Sequence, residues 1–187
     1  MISKNLVLEP CDIFFTHSDS ILGKGIRFCT RSIGEEKTKV NHVGAIVTEE
    51  TIDKAQAIEA LTKVRRHTLM SQYGGGSDKV AIYRPLNITP EQALTITAKL
   101  NEYEGRTYGY AKIVTHWLDW CLNGAYVFRR LTGSDRYPIC SWVVAQAFSH
   151  AGLDFGVKPG AATPDDIWDY CVKHKDKYEL VLPLMKI

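Results

Sequence analysis

A chain of 187 residues is long enough for one domain with a substantial apolar core, and 45% hydrophobic against 24% charged residues is a globular balance, not a disordered one. Twenty-three Lys and Arg against 21 Asp and Glu leave a formal charge of +2, which argues against nucleic acid or an anionic membrane as the main partner. No apolar run reaches the 18 residues that a membrane-spanning helix needs. Glu9 interrupts the N-terminal stretch before a signal-peptide core can form, so the expected location is cytoplasmic.

The first predicted element is a buried strand at 12–16, Asp-Ile-Phe-Phe-Thr. Ile21, Gly25, Phe28 and Cys29 then fall at helical spacing within 18–33. Short strands follow at 42–48, 55–60, 63–69 and 79–84, separated by turn residues such as Gly74-Gly75-Gly76-Ser77, and together they suggest an antiparallel meander. Thr89-Pro90-Glu91 opens a helix with Ala93, Leu94, Ile96 and Leu100 at helical spacing. Aromatic residues crowd 110–122 until Asn123-Gly124 ends that segment. Helices are predicted at 140–150 and from Thr163-Pro164 to about His174, with a last strand at 179–184. The class is α+β, in a single domain over 1–187 with a helical insertion at about 110–132.

Five cysteines, Cys11, Cys29, Cys121, Cys140 and Cys171, show no CxxC pair, so reduced thiols are expected rather than a disulfide framework. The six histidines form neither HxH nor HExxH, so no metal is predicted, and without GxxxxGK[ST] or GxGxxG neither is a nucleotide cofactor. Cys140 opens a helix, where free backbone N–H groups and the dipole favour a thiolate. The alternative for it is a small buried hydrophobe. A nucleophilic thiol needs a base, and the base needs an orienting group. If 42–47 and 54–59 form a hairpin with an index sum of 101, its turn falls between Glu50 and Thr51. His42 then lies opposite Glu59 on one sheet face, beside the small residues Gly44, Ala55 and Ala57. A carboxylate there would fix the imidazole tautomer; a structural ion pair is the other reading.

Arg65-Arg66-His67 reads as solvated chemistry on an edge strand, and Asp12 as a local backbone cap. His17, His116, His150 and His174 have no assigned partner. Trp117, Trp120, Tyr126 and Phe128, with Arg129 and Arg130, form either core or a lid or lipid-facing surface.

Leu8-Glu9-Pro10-Cys11-Asp12-Ile13-Phe14-Phe15 resembles the first strand of the NlpC-type papain-like cysteine peptidases, and His42-Val43-Gly44-Ala45-Ile46-Val47 resembles their catalytic His strand. Ala57-Ile58-Glu59-Ala60 falls on the strand that carries their third catalytic residue. Gly105-Arg106-Thr107-Tyr108 and Cys140-Ser141-Trp142-Val143-Val144 match their nucleophile segment but come after the His and Glu. That order is similar to the circularly permuted YiiX/YebB-like branch, whose relatives include the lecithin:retinol acyltransferase group. The likeness covers about residues 8–168. It departs at Cys11, where Gly is usual, at Ile139, where an acidic residue is usual, and at Glu59, where His, Asn or Gln is common.

The resemblance implies a permuted papain-like fold, an antiparallel sheet packed on helices. It implies Cys140 as nucleophile, His42 as base and Glu59 as orienting group, with Tyr108 and Ser141 as substrate-binding or oxyanion residues. Hydrolysis of an amide in a peptide or peptidoglycan-like substrate, an amino-acid amide or a small N-acyl substrate would follow, with no cofactor. Lipid acyl transfer or thioester cleavage by the same triad, and a binding module without turnover, are the alternatives.

Overall fold

The computed structural model describes residues 5–18, 38–107 and 139–187. Eight strands are defined among them: β1 (Val7–Leu8), β2 (Ile13–His17), β3 (His42–Ile46), β4 (Glu50–Thr51), β5 (Gln56–Ala60), β6 (Val64–Thr68), β7 (Lys79–Pro85) and β8 (Tyr178–Met185). Four helices accompany them: α1 (Leu69–Tyr73), α2 (Pro90–Tyr103), α3 (Cys140–His150) and α4 (Pro164–Lys173). The helix expected at 18–33, Cys29, Cys121, Tyr108 and the 110–132 insertion with its aromatic residues lie outside the described residues.

Six strands form one antiparallel sheet in the order β6-β5-β3-β2-β7-β8. The expected meander of 42–48, 55–60, 63–69 and 79–84 holds for its first three strands, β3, β5 and β6. β7 departs from it: rather than pairing with β6, it crosses to the far side of β2, with Phe14 opposite Ile82. The central place of β2 explains its unbroken apolar run, because Ile13, Phe14 and Phe15 are all fully buried and both sheet faces are covered. Phe15 packs edge-to-face on Trp168 of α4 at 5.3 Å between ring centroids. Phe14 points the other way, against Tyr73 of α1 at 5.8 Å. The larger core lies between the sheet and α2, α3 and α4, and a smaller one lies under α1 and β8.

Both Thr-Pro signals start helices as predicted. Thr89 Oγ1 accepts the Gln92 N–H at 3.2 Å while the Gln92 side chain accepts the Thr89 N–H. Thr163 and Asp166 make the same reciprocal bonds ahead of α4. Glu50-Thr51, expected to be only a turn, forms a short strand paired with Val7-Leu8.

The β3–β5 register corrects the sequence reading. Ala45 pairs with Ile58 and Ile46 with Ala57, an index sum of 103 rather than 101. A shift of two residues preserves the face, so His42 and Glu59 still project to the same side. Glu59 now lies across from Gly44, where an added Cβ would come within 2.9 Å of the Glu59 Cβ. The β3–β5 ladder stops at Ala45, short of His42, while β5 continues to pair with β6 as far as Ala60.

Candidate active site

The open end of the β3–β5 ladder receives the N-terminus of α3. Ile139 is the extended N-cap residue, so Cys140 occupies the first helical position, and the helix packs on both β3 and β5. The Cys140 sulfur accepts hydrogen bonds from the backbone N–H groups of Val43 and Ser141 and is hydrogen-bonded to the His42 ring. The Val43 N–H is available because β3 and β5 have parted there. Cys140 is 6% exposed and belongs to the core cluster, yet it is not an inert core thiol. Burial pushes its pKa up, and the His42 charge, the His42 hydrogen bond and the two N–H donors together bring it below the ordinary thiol value.

His42 Nε2 donates to Glu59 Oε2, which leaves Nδ1 for the sulfur. Burial opposes a charge on His42, but the thiolate of Cys140 and the carboxylate of Glu59 outweigh it and raise the imidazole pKa to about 10. Glu59 is fully buried. Burial would push its carboxyl up, and the His42 charge with hydrogen bonds from His42, His67 and Tyr73 instead holds it well below its ordinary range. Three residues from three parts of the chain thus form a line of alternating charge: sulfur, imidazole, carboxylate.

The other expected residues take different places. Ser141 is fully buried and its hydroxyl donates to Ala162 O at 2.6 Å. Its side chain therefore ties α3 to the loop before α4, and its backbone N–H is what meets the sulfur. Gly105 leads towards Tyr108 with φ +86° and bonds back to β6, its N–H on Val64 O at 2.8 Å. Asp12 caps the Glu9 N–H at 2.9 Å, as expected of it, and is also clasped by Arg84 at 2.7 and 2.8 Å.

Two participants were missed. His67 was grouped with a solvated edge, but its side chain is only 12% exposed and its Nε2 lies 2.5 Å from Glu59 Oε1. Alternation along β6 carries the signal: Glu59 pairs with Arg65, so His67 two residues on shares its face. Tyr73 donates its hydroxyl to Glu59 Oε2 at 2.5 Å. It lies on a five-residue helix with no strong sequence signature.

No protein-family model matches the chain. A crystal structure of YiiX from Escherichia coli O157:H7 superposes with a TM-score of 0.56 at 20% identity, covering 93% of this chain and 88% of that one. The chain has a YiiX-like fold. That places it in the papain-like α+β class read from the sequence. In sequence it is 30% identical over 111 residues to the probable lipoprotein peptidase YaeF of Escherichia coli strain K12. The match takes in 57% of this chain and only 35% of that protein, so the chain spans about a third of its curated relative.

YiiX is described as a metalloprotein. Among the described residues of this YiiX-like chain, no group of three or more His, Cys, Asp and Glu could hold a metal ion. The nitrogens of His42 and His67 touch the Glu59 oxygens directly, so no ion with bonds of about 2.0–2.1 Å to each fits between them. No helix among the described residues is long and apolar enough to cross a membrane.

Proposed function

We propose that this protein is a thiol hydrolase that cleaves an amide bond through a Cys140 acyl-enzyme. The contact of the Cys140 sulfur with His42, itself hydrogen-bonded to Glu59, carries the reading. The chain order of His, Glu and Cys supports a permuted papain-like arrangement on a single domain, and the likeness to a protein named as a peptidase points the same way.

The Cys140 thiolate adds to the carbonyl carbon of a small peptide or N-acyl amide, and the electron pair of the C=O bond moves to oxygen. The backbone N–H of Cys140, at the positive end of α3, is the natural donor for the developing oxyanion. His42 passes its proton to the leaving amine as the C–N bond breaks, leaving a thioester. It then takes a proton from water as that water attacks, and Cys140 leaves as thiolate. Glu59 holds the ring in one tautomer and stabilises it when charged.

Intact-mass measurement against a panel of peptide amides, N-acyl amides and acyl esters tests this. The expected result is an acyl adduct on Cys140 that turns over fastest with amides. Cys140→Ala should lower turnover by several orders of magnitude with the fold retained. Turnover that survives Cys140→Ala but is lost on replacing Cys11, Cys29, Cys121 or Cys171 refutes the assignment. Adducts from lipid esters alone would make the enzyme an acyltransferase or thioesterase.

A further inference from the structure

Glu59 is the one member of the line that has more partners than the proposed chemistry uses. A carboxylate with no solvent exposure must find its hydrogen-bond donors within the protein, and here they come from three elements. His42 on β3 and Tyr73 on α1 both donate to Oε2, and His67 on β6 meets Oε1 at 2.5 Å. Glu59 Oε1 and His67 Nε2 are both buried, and neither makes a well-aligned hydrogen bond to any described group; what they share is their own 2.5 Å ion-pair contact. Each is therefore left to the other. The second ring nitrogen of His67, Nδ1, lies 3.0 Å from Thr68 O. A carbonyl and a carboxylate oxygen can only accept, so both ring nitrogens must donate. That is the imidazolium form.

We propose that His67 and Tyr73 are positioning residues that lock the Glu59 carboxylate, His67 as a bound imidazolium on Oε1 and Tyr73 as a neutral donor on Oε2, so that Oε2 stays aimed at His42. The inference rests on the Cys140–His42 reading above. It explains why a buried glutamate serves here: its free oxygen is taken by a cation, and thiolate, His42, Glu59 and His67 sum to zero charge around a carboxylate that has no solvent exposure of its own. The groups facing His67 are Glu59 on β5, Arg65 on its own strand and the Tyr73 ring on α1 at 6.4 Å. Burial opposes a charge on His67, and Arg65 adds to that, but the Glu59 contact and the Thr68 carbonyl outweigh both and raise its pKa. Tyr73 is pushed well above its ordinary value, first by burial and then by the Glu59 charge, and so remains a donor across the working range.

Losing His67 removes a positive charge and leaves Oε1 buried without a partner. Both effects disfavour the Cys140 thiolate, and the second also loosens the hold on His42. The test is the pH dependence of Cys140 alkylation by iodoacetamide in the whole protein, read by intact mass, for wild type, His67→Ala, His67→Gln and Tyr73→Phe. In wild type the thiolate should form well below the ordinary thiol range. His67→Ala should shift the acid limb to higher pH, slowing alkylation at about pH 6 roughly tenfold, the effect of one pH unit. His67→Gln, which keeps a donor without the charge, should recover part of that loss. Tyr73→Phe keeps the ring packing against Phe14, so it holds the test open if His67→Ala does not fold, and it should shift the limb the same way by less. Nitrogen-15 shifts should show both His67 ring nitrogens protonated at neutral pH, reverting towards the neutral ring in Glu59→Gln.

A folded His67→Ala and Tyr73→Phe with the wild-type limb, or a neutral His67 in wild type, overturns the positioning roles and leaves the Cys140–His42 reading standing. A wild-type Cys140 that alkylates like a free thiol overturns both.

Discussion

Adding one methyl group at Gly44 tests whether close approach of β3, β5 and Phe14 sets the site geometry. The backbone of Gly44 is not in the left-handed region, so the glycine is there for space rather than for conformational freedom. An alanine Cβ would lie 2.4 and 2.5 Å from the Cζ and Cε1 of Phe14 and 2.9 Å from the Cβ of Glu59. Carbon atoms pack at about 3.5–4.0 Å, so the ring must retreat by about 1 Å, and Phe14 is fully buried against Tyr73. Overpacking of this kind costs about 1–3 kcal/mol. In a chain of this size 2 kcal/mol lowers Tm by about 4–8 °C.

The displaced groups identify the cause. Glu59 and Tyr73 are pushed together with Phe14, so Gly44→Ala should also slow Cys140 alkylation at about pH 6. Shortening Phe14 removes the two clashing ring atoms, and Phe14→Leu alone should cost about 1 kcal/mol. The double variant Gly44→Ala/Phe14→Leu should then be more stable than the sum of the single losses by at least about 1 kcal/mol, a coupling that denaturant unfolding of the four proteins resolves. Additive losses, or a Gly44→Ala protein with wild-type Tm and alkylation, would refute the steric argument.

At Cys11 the backbone has φ +75° while the side chain is fully buried; relief of left-handed strain makes Cys11→Gly more stable than Cys11→Ala by about 1 kcal/mol, reversing the usual order of those residues, and denaturant midpoints decide it. Ser141→Ala strands the Ala162 carbonyl and should cost about 1–2 kcal/mol by unfolding while Cys140 alkylation stays near wild type; a dead thiol in a folded Ser141→Ala would return that hydroxyl to the chemistry. Glu59 has a depressed carboxyl pKa, so its stabilising contribution is full above its ordinary value of 4.5 and is lost as pH falls through the folded value. The stability gap between wild type and Glu59→Gln should therefore be flat from neutral pH to about 4.5 and narrow below it, as acid titration followed by circular dichroism would show. His42 holds its proton up to about 10, so turnover should fall above that pH as the leaving amine loses its proton donor, and a profile declining from neutral pH would contradict the ion pair.

What was legible in the sequence was parity more than register. The hairpin placed His42 opposite Glu59 by symmetry about the turn, and the true pairing is two residues away because Glu50-Thr51 is drawn into a ladder with Val7-Leu8. A slip of one would have put the carboxylate in the opposite core. A slip of two keeps the face, so the pair survived an incorrect register. The helix starts were legible for a related reason, since Thr-Pro with an acceptor at the third position is a local pattern that satisfies local N–H groups.

Long-range choices were not legible. Nothing in Lys79–Pro85 distinguishes pairing with β6 from pairing with β2, because the alternation is the same and only the burial of both faces of β2 decides. His67 was misread for a similar reason. Two arginines beside a histidine on an edge strand look solvated as a unit, but a strand has two faces. Arg66 turns to the face covered by α2, with Asn101 at 2.6 Å and Glu104 at 3.3 Å, and His67 turns to the other face and Glu59. Once Glu59 is taken to be buried and ionised, its two oxygens demand more donors than one histidine supplies. Period-two alternation from its partner Arg65 then points to His67. A buried carboxylate proposed from sequence should therefore always raise the question of which donors share its face.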